Sequence, residues 1–83
     1  MPDEARLRER AREALLSGRV PAIKAVGTYG GPGTGGRCGV CGDILTTGEL
    51  EMELHFGRAP GPVHLHIRCF AAWEFERTKL PPA

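Results

Sequence analysis

The chain lacks any long apolar run. No stretch approaches the roughly 20 consecutive apolar residues of a membrane-spanning helix. Met1-Pro2-Asp3-Glu4 is charged rather than apolar, so no secretory leader is expected. An excess of charge is also lacking. The formal net charge is +1, which is not the balance of a protein that coats a phosphate backbone. There are three cysteines, an odd number that suits no disulfide framework. Without an export signal, reduced thiols in a cytoplasmic setting are expected. No serine–histidine–acid triad or pair of catalytic carboxylates stands out, so an enzyme is not expected. The 83 residues show no internal repeat, and they bury too little apolar surface for a comfortable core. Chains of this size often depend on a cross-link or a metal.

What is present points to a metal. Cys38-Gly39-Val40-Cys41 and His66-Ile67-Arg68-Cys69 give C-x2-C and H-x2-C separated by 24 residues, and together they use every cysteine. Zinc takes four soft or borderline ligands at tetrahedral corners, and a two-residue spacer lets a tight turn or a first helical turn aim two ligands at one point. Neither pair can hold the ion alone, so the ion clips two distant segments together. The expected cofactor is therefore one Zn2+ on Cys38, Cys41, His66 and Cys69. Four protein ligands close the site and leave no position for substrate. Three thiolates and a dication bring the net charge near zero.

Two rivals accompany this reading. Cys38 and Cys41 also suit a redox dithiol, although that motif requires a strand before it and a helix after it. His64 competes with His66, because strand alternation puts both on one face. Its longer spacing to Cys69 fits a helix start less well, so His66 is preferred. His55 reads as a surface residue at a strand end.

Periodicity supplies the frame. Residues 3–17 read as a helix with Asp3 as N-cap, Leu7, Ala11, Ala14 and Leu15 at helical spacing, and Ser17-Gly18 as its end. Its stripe is narrow, with Leu16 beside it, and suits packing on the domain or on a partner. Arg6, Arg8, Arg10 and Arg12 alternate with acidic residues; a solvated, salt-bridged face is the plain reading and phosphate contact the sharper one. Residues 19–26 read as an extended connection, since Pro21 bars a continuing helix. Residues 27–36 read as a loop by composition. Within it, Gly31-Pro32-Gly33-Thr34-Gly35-Gly36 matches G-x-G-x-x-G, but the flanking strand and helix of a dinucleotide site are missing.

After Cys41 a β-hairpin is predicted. Ile44 and Leu45 precede a turn at Thr47-Gly48, and residues 49–54 follow as a strand. Strict alternation puts Leu50, Met52 and Leu54 on the core face and Glu49, Glu51 and Glu53 in water. Residues 57–62 are turn-rich. Val63-His64-Leu65 forms a short strand that delivers His66. A helix then runs from Ile67 to about Lys79, burying Phe70, Trp73 and Ala72, with Pro81-Pro82 as its stop. The glycine after Cys38 frees backbone amides to stabilise thiolate, and the start of the last helix favours a Cys69 thiolate.

The expected fold is a small α+β, zinc-stabilised, treble-clef-like domain: zinc knuckle, β-hairpin and C-terminal helix, with an N-terminal helix. Residues 1–26 form the helix and connection, and residues 27–83 the zinc-binding domain with its glycine-rich leading loop. Residues 37–73 resemble LIM and poly(ADP-ribose) polymerase-type zinc fingers. The likeness rests on Cys38-x2-Cys41, Ile44, Gly48-Glu49 and His66-x2-Cys69-Phe70. It covers under half of the chain. It departs from LIM in offering no second zinc module, and from the polymerase finger in its acidic hairpin. The chain is also similar to small bacterial zinc-binding proteins of uncharacterised role. The resemblance implies a treble clef and supports the same four ligands. A non-enzymatic module that binds a protein partner is expected. A nucleic-acid-binding finger using Arg6, Arg8, Arg10 and Arg12 is the first alternative, and a thiol redox or metal-responsive switch the second.

Overall fold

The computed structural model describes residues 4–58 and 61–79. Helix α1 spans Glu4–Ser17, and Leu7, Ala11, Ala14 and Leu15 are its buried residues. They follow one another at four-, three- and one-residue steps, which puts them on one stripe of a 3.6-residue helix. The helix ends where Gly18 adopts φ 80°, a left-handed conformation that glycine enters without a Cβ penalty. The Gly18 and Val20 amides donate to the Leu15 and Ala14 carbonyls, at 3.2 and 3.3 Å. The proposed cap Asp3 and the stop at Pro81-Pro82 lie outside the described residues, as do residues 59 and 60 of the predicted turn.

Among the described residues three strands follow: β1 at Gly27–Pro32, β2 at Leu50–His55 and β3 at Val63–His66, and then helix α2 at Ile67–Arg77. The sheet is antiparallel with β2 in the centre. Its register runs from Gly27 opposite His55 to Pro32 opposite Leu50, and Glu51 lies opposite His66 on the other side.

Strand β1 corrects the reading of residues 27–36 as a loop. An edge strand needs its backbone amides and carbonyls paired on one side only, so side chains have little say in its formation. Six residues rich in glycine extend because β2 offers a ladder, and proline sits at the last position, where edges tolerate it. The loop proper is residues 33–36. Gly33 is obligatory there: a Cβ would lie 2.0 Å from the Thr46 carbonyl oxygen.

The predicted hairpin is also corrected. Ile44 makes one isolated bridge to Arg37 rather than a strand, and β2 pairs with β1 and β3 instead. The Leu45 amide donates to the Gly36 carbonyl at 2.7 Å, which binds this segment to the loop. The turn at residues 47–48 is present. Glu49 closes it rather than extending the strand, its carboxylate accepting from the Thr46 hydroxyl at 2.8 Å and amide at 3.3 Å.

The faces of β2 differ from strict alternation. Leu54 is fully buried and Met52 partly so, but Leu50 is 64% exposed and Glu51 only 3%. The glycine-rich loop and β3 cover the second face at Glu51. Thr34 donates to its carboxylate through both amide (2.8 Å) and hydroxyl (3.0 Å), and His64 pairs with the other oxygen. Two or three such bonds offset the cost of burying a carboxylate.

One apolar cluster joins α1, the connection, the knuckle, the sheet and α2. Trp73 is at its centre, fully buried. Its indole N–H donates to the Pro21 carbonyl at 3.0 Å, and Phe56 meets its ring edge-on with centroids 6.0 Å apart. Phe70, by contrast, is only partly buried. Helix α1 lies against α2, and its buried Ala11 and Ala14 present only methyl groups. Beside that seam Arg12 donates to the buried Glu76 carboxylate at 3.0 and 3.1 Å. Of the two roles foreseen for the α1 stripe, the structure takes packing on its own domain. Replacing both Leu7 and Leu15 by Asp buries two unpaired carboxylates and is expected to cost more than about 4 kcal/mol. Circular dichroism of the double variant should show a global loss of structure; an unchanged melt would mean that α1 stands apart from the core.

Candidate metal centre

The residues around Cys38 form a tight knuckle. The Gly42 amide donates to the Cys38 carbonyl at 3.0 Å, and the Cys38 amide to the Asp43 carbonyl at 2.9 Å. Gly42 takes φ 81° to make that return. Gly39 is needed for space: a Cβ there would come within 2.9 Å of Val63. Its amide donates to the His64 carbonyl at 3.0 Å, which ties the knuckle to β3. The Val40 amide donates to Cys38 Sγ at 3.4 Å.

The second pair sits where β3 turns into α2. His66 is extended (φ −61°, ψ 153°) and occupies the N-cap position with no side-chain cap bond. Its imidazole is thereby released towards the knuckle, and Cys69 follows in the first turn of the helix. The four donor atoms of Cys38, Cys41, His66 and Cys69 all lie within 4.8 Å of one another. His66 Nδ1 is 3.3 Å from Cys41 Sγ and 3.9 Å from Cys69 Sγ. A tetrahedral zinc with Zn–S near 2.3 Å has ligand–ligand edges of about 3.8 Å. The cluster therefore fits a metal ion with sub-ångström adjustment.

The far side of the imidazole supports the same geometry. His66 Nε2–H donates to the Ile44 carbonyl at 3.3 Å, with a Glu49 carboxylate oxygen at 3.8 Å. This fixes the proton on Nε2 and leaves the Nδ1 lone pair facing the sulfurs, a common outer-shell arrangement for metal-ligating histidines. Arg10 reaches across from α1 and donates to the Cys41 carbonyl at 3.0 Å. Cys38 and Cys69 are buried, whereas Cys41 and His66 are half-buried.

The thiols conflict electrostatically. A hydrogen bond from Cys69 outweighs burial and brings Cys38 down to about 4. Cys69 is pushed well up, first by that same bond to Cys38, then by burial and by the neighbouring sulfur charges. Burial, with the charge of Cys38 added, also raises Cys41. Burial pulls His66 down, but the Cys38 sulfur outweighs it and raises the imidazole. One thiolate forms readily and opposes the next. A dication at the centre removes that opposition, which is the chemical argument that this donor set fits a metal.

The rival histidines are elsewhere engaged. His64 pairs through Nδ1 with Glu51, and His55 with Glu53, the latter also edge-on to Tyr29 with centroids 5.2 Å apart. Among the described residues the donor cluster contains His66 and not His64. His64→Ala should therefore leave the cobalt-loaded charge-transfer spectrum unchanged, and His66→Ala should alter it. Loss of the spectrum in the His64 variant alone would reverse the assignment.

The other candidates resolve plainly. In the G-x-G-x-x-G segment the amides of Gly33, Thr34 and Gly35 donate to Glu49, Glu51 and Leu45. These amides are engaged within the protein and do not form a phosphate cradle. Arg8 bonds Glu4 at 3.2 Å and lies 4.8 Å over the Phe75 ring. Arg10 and Arg12 make the bonds described above while remaining exposed, as Arg6 is. The roles of Arg10, Glu51 and Glu76 were not visible in the sequence. Glu51 matched its exposed neighbours in spacing, and the partners of the other two are 31 and 64 residues away.

No family model, curated protein or solved structure matches the chain.

Proposed function

We propose that Cys38, Cys41, His66 and Cys69 hold one zinc ion as a structural centre in a treble-clef-like fold, and that the chain is a non-enzymatic, reduced cytoplasmic module that binds a protein partner. The observation that supports this reading is the convergence of three thiols and one imidazole, from two segments, within 4.8 Å. Sulfur-rich tetrahedral sets favour zinc over the harder cations, which take oxygen ligands. Four protein donors complete the shell, so catalysis through an open position is not expected. The arginines of α1 do not favour nucleic acid, because Arg8, Arg10 and Arg12 are each bonded to a carboxylate or carbonyl of the protein itself. Elemental analysis of purified protein should give about one zinc per chain. Metal-free protein that is folded, with Cys38 and Cys41 joined as a disulfide, would overturn the proposal.

A further inference from the structure

The geometry points to a docking cleft beside the metal centre for a protein segment that carries an apolar side chain next to a lysine or arginine. This inference rests on the zinc and protein-partner reading above and specifies the partner's chemistry. Leu50 is 64% exposed and Ile67 41%, although Leu50 shares a strand face with buried Leu54. Both line one cleft of about 510 Å³, together with Cys41, His66 and Cys69 from the donor cluster. An exposed leucine and isoleucine on the wall of a cleft present apolar area that a partner side chain can cover.

Charge selects the occupant. Asp43 and Glu49 also line the cleft. The Glu49 carboxylate is held in place by the Thr46 hydroxyl and amide, so its charge is positioned before any partner arrives. Arg68 contributes to the lining as well, but two carboxylates against one guanidinium leave the wall acidic. The floor adds to this, since a dication on three thiolates and a neutral imidazole carries one net negative charge. A phosphate backbone is repelled by that combination, whereas an ammonium or guanidinium beside an apolar anchor is drawn to it.

The test uses the zinc-loaded protein and a displayed library of random short peptides. Recovered sequences should pair an apolar residue with Lys or Arg. A labelled peptide made from them should bind about tenfold or more weakly to the Leu50→Ser variant, which loses the apolar wall. Asp43→Lys should weaken binding several-fold, with the difference shrinking at high salt. Both variants should keep full zinc content, which separates a damaged cleft from a damaged fold. Acidic or patternless peptides, or binding to both variants as tight as to the parent, overturn the cleft while the interaction reading survives. A library that yields no binder overturns both, with zinc stoichiometry standing as a separate result. Tighter binding of a labelled oligonucleotide than of any peptide overturns the choice of a protein partner.

Discussion

Removing the metal is expected to dissolve the native state. Structural zinc contributes roughly 10–16 kcal/mol of apparent binding free energy near neutral pH, whereas a small domain holds only about 5–15 kcal/mol of net stability. A strong chelator should abolish the near-ultraviolet signal of Trp73, and added zinc should restore it. His66→Ala and Cys69→Ser should behave like chelation, because each frees the start of α2 from the knuckle. Acidification should have the same result. Every sulfur must be deprotonated to bind the ion, so affinity falls as pH falls. Retained tertiary structure in the chelated protein would assign the fold to its apolar core instead.

The second large effect is expected at Trp73. Its side chain is fully enclosed and joins Phe56, Phe70 and the Pro21 carbonyl. Trp73→Ala should cost about 3–5 kcal/mol, from lost burial and the cavity left behind. The Pro21 carbonyl also loses its partner. Trp73→Phe should recover most of the volume and leave a deficit of about 1 kcal/mol for the missing hydrogen bond. Urea titration of the zinc-loaded variants, followed by far-ultraviolet circular dichroism, measures both. Leu16→Ala, at a 72% exposed position, should stay within about 0.5 kcal/mol of the parent. Equal losses at Leu16 and Trp73 would contradict the described core.

The sequence made the donor cluster legible because ligand spacing is a local property. Two residues between donors mean the same thing in a turn or in a helical start. The buried stripe of α1 was legible for a similar reason, since helical periodicity records which face is covered. Strand β1 was not. Its glycines carry no side-chain signal, and its conformation is set by the ladder that β2 provides. Glu51 was misread for a related reason. Alternation reports that two faces differ, but the second face is covered by Thr34 and His64, which come from distant segments. Leu50 shows the converse: it is apolar by pattern, yet α2 and β3 do not extend over it.

The seam between α1 and α2 has a consequence for biosynthesis. Arg12 bonds Glu76 across 64 residues, and the Trp73 indole reaches Pro21 across 52. Contacts so distant in sequence cannot form until the later partner exists. During translation α1 leaves the ribosome before α2, the element it lies against. A lone helix of that length is marginal in water. The knuckle cysteines wait in the same way for His66 and Cys69. The α1–α2 seam and the donor cluster therefore stay open until α2 has been made, and the knuckle thiols are exposed to solvent in that interval.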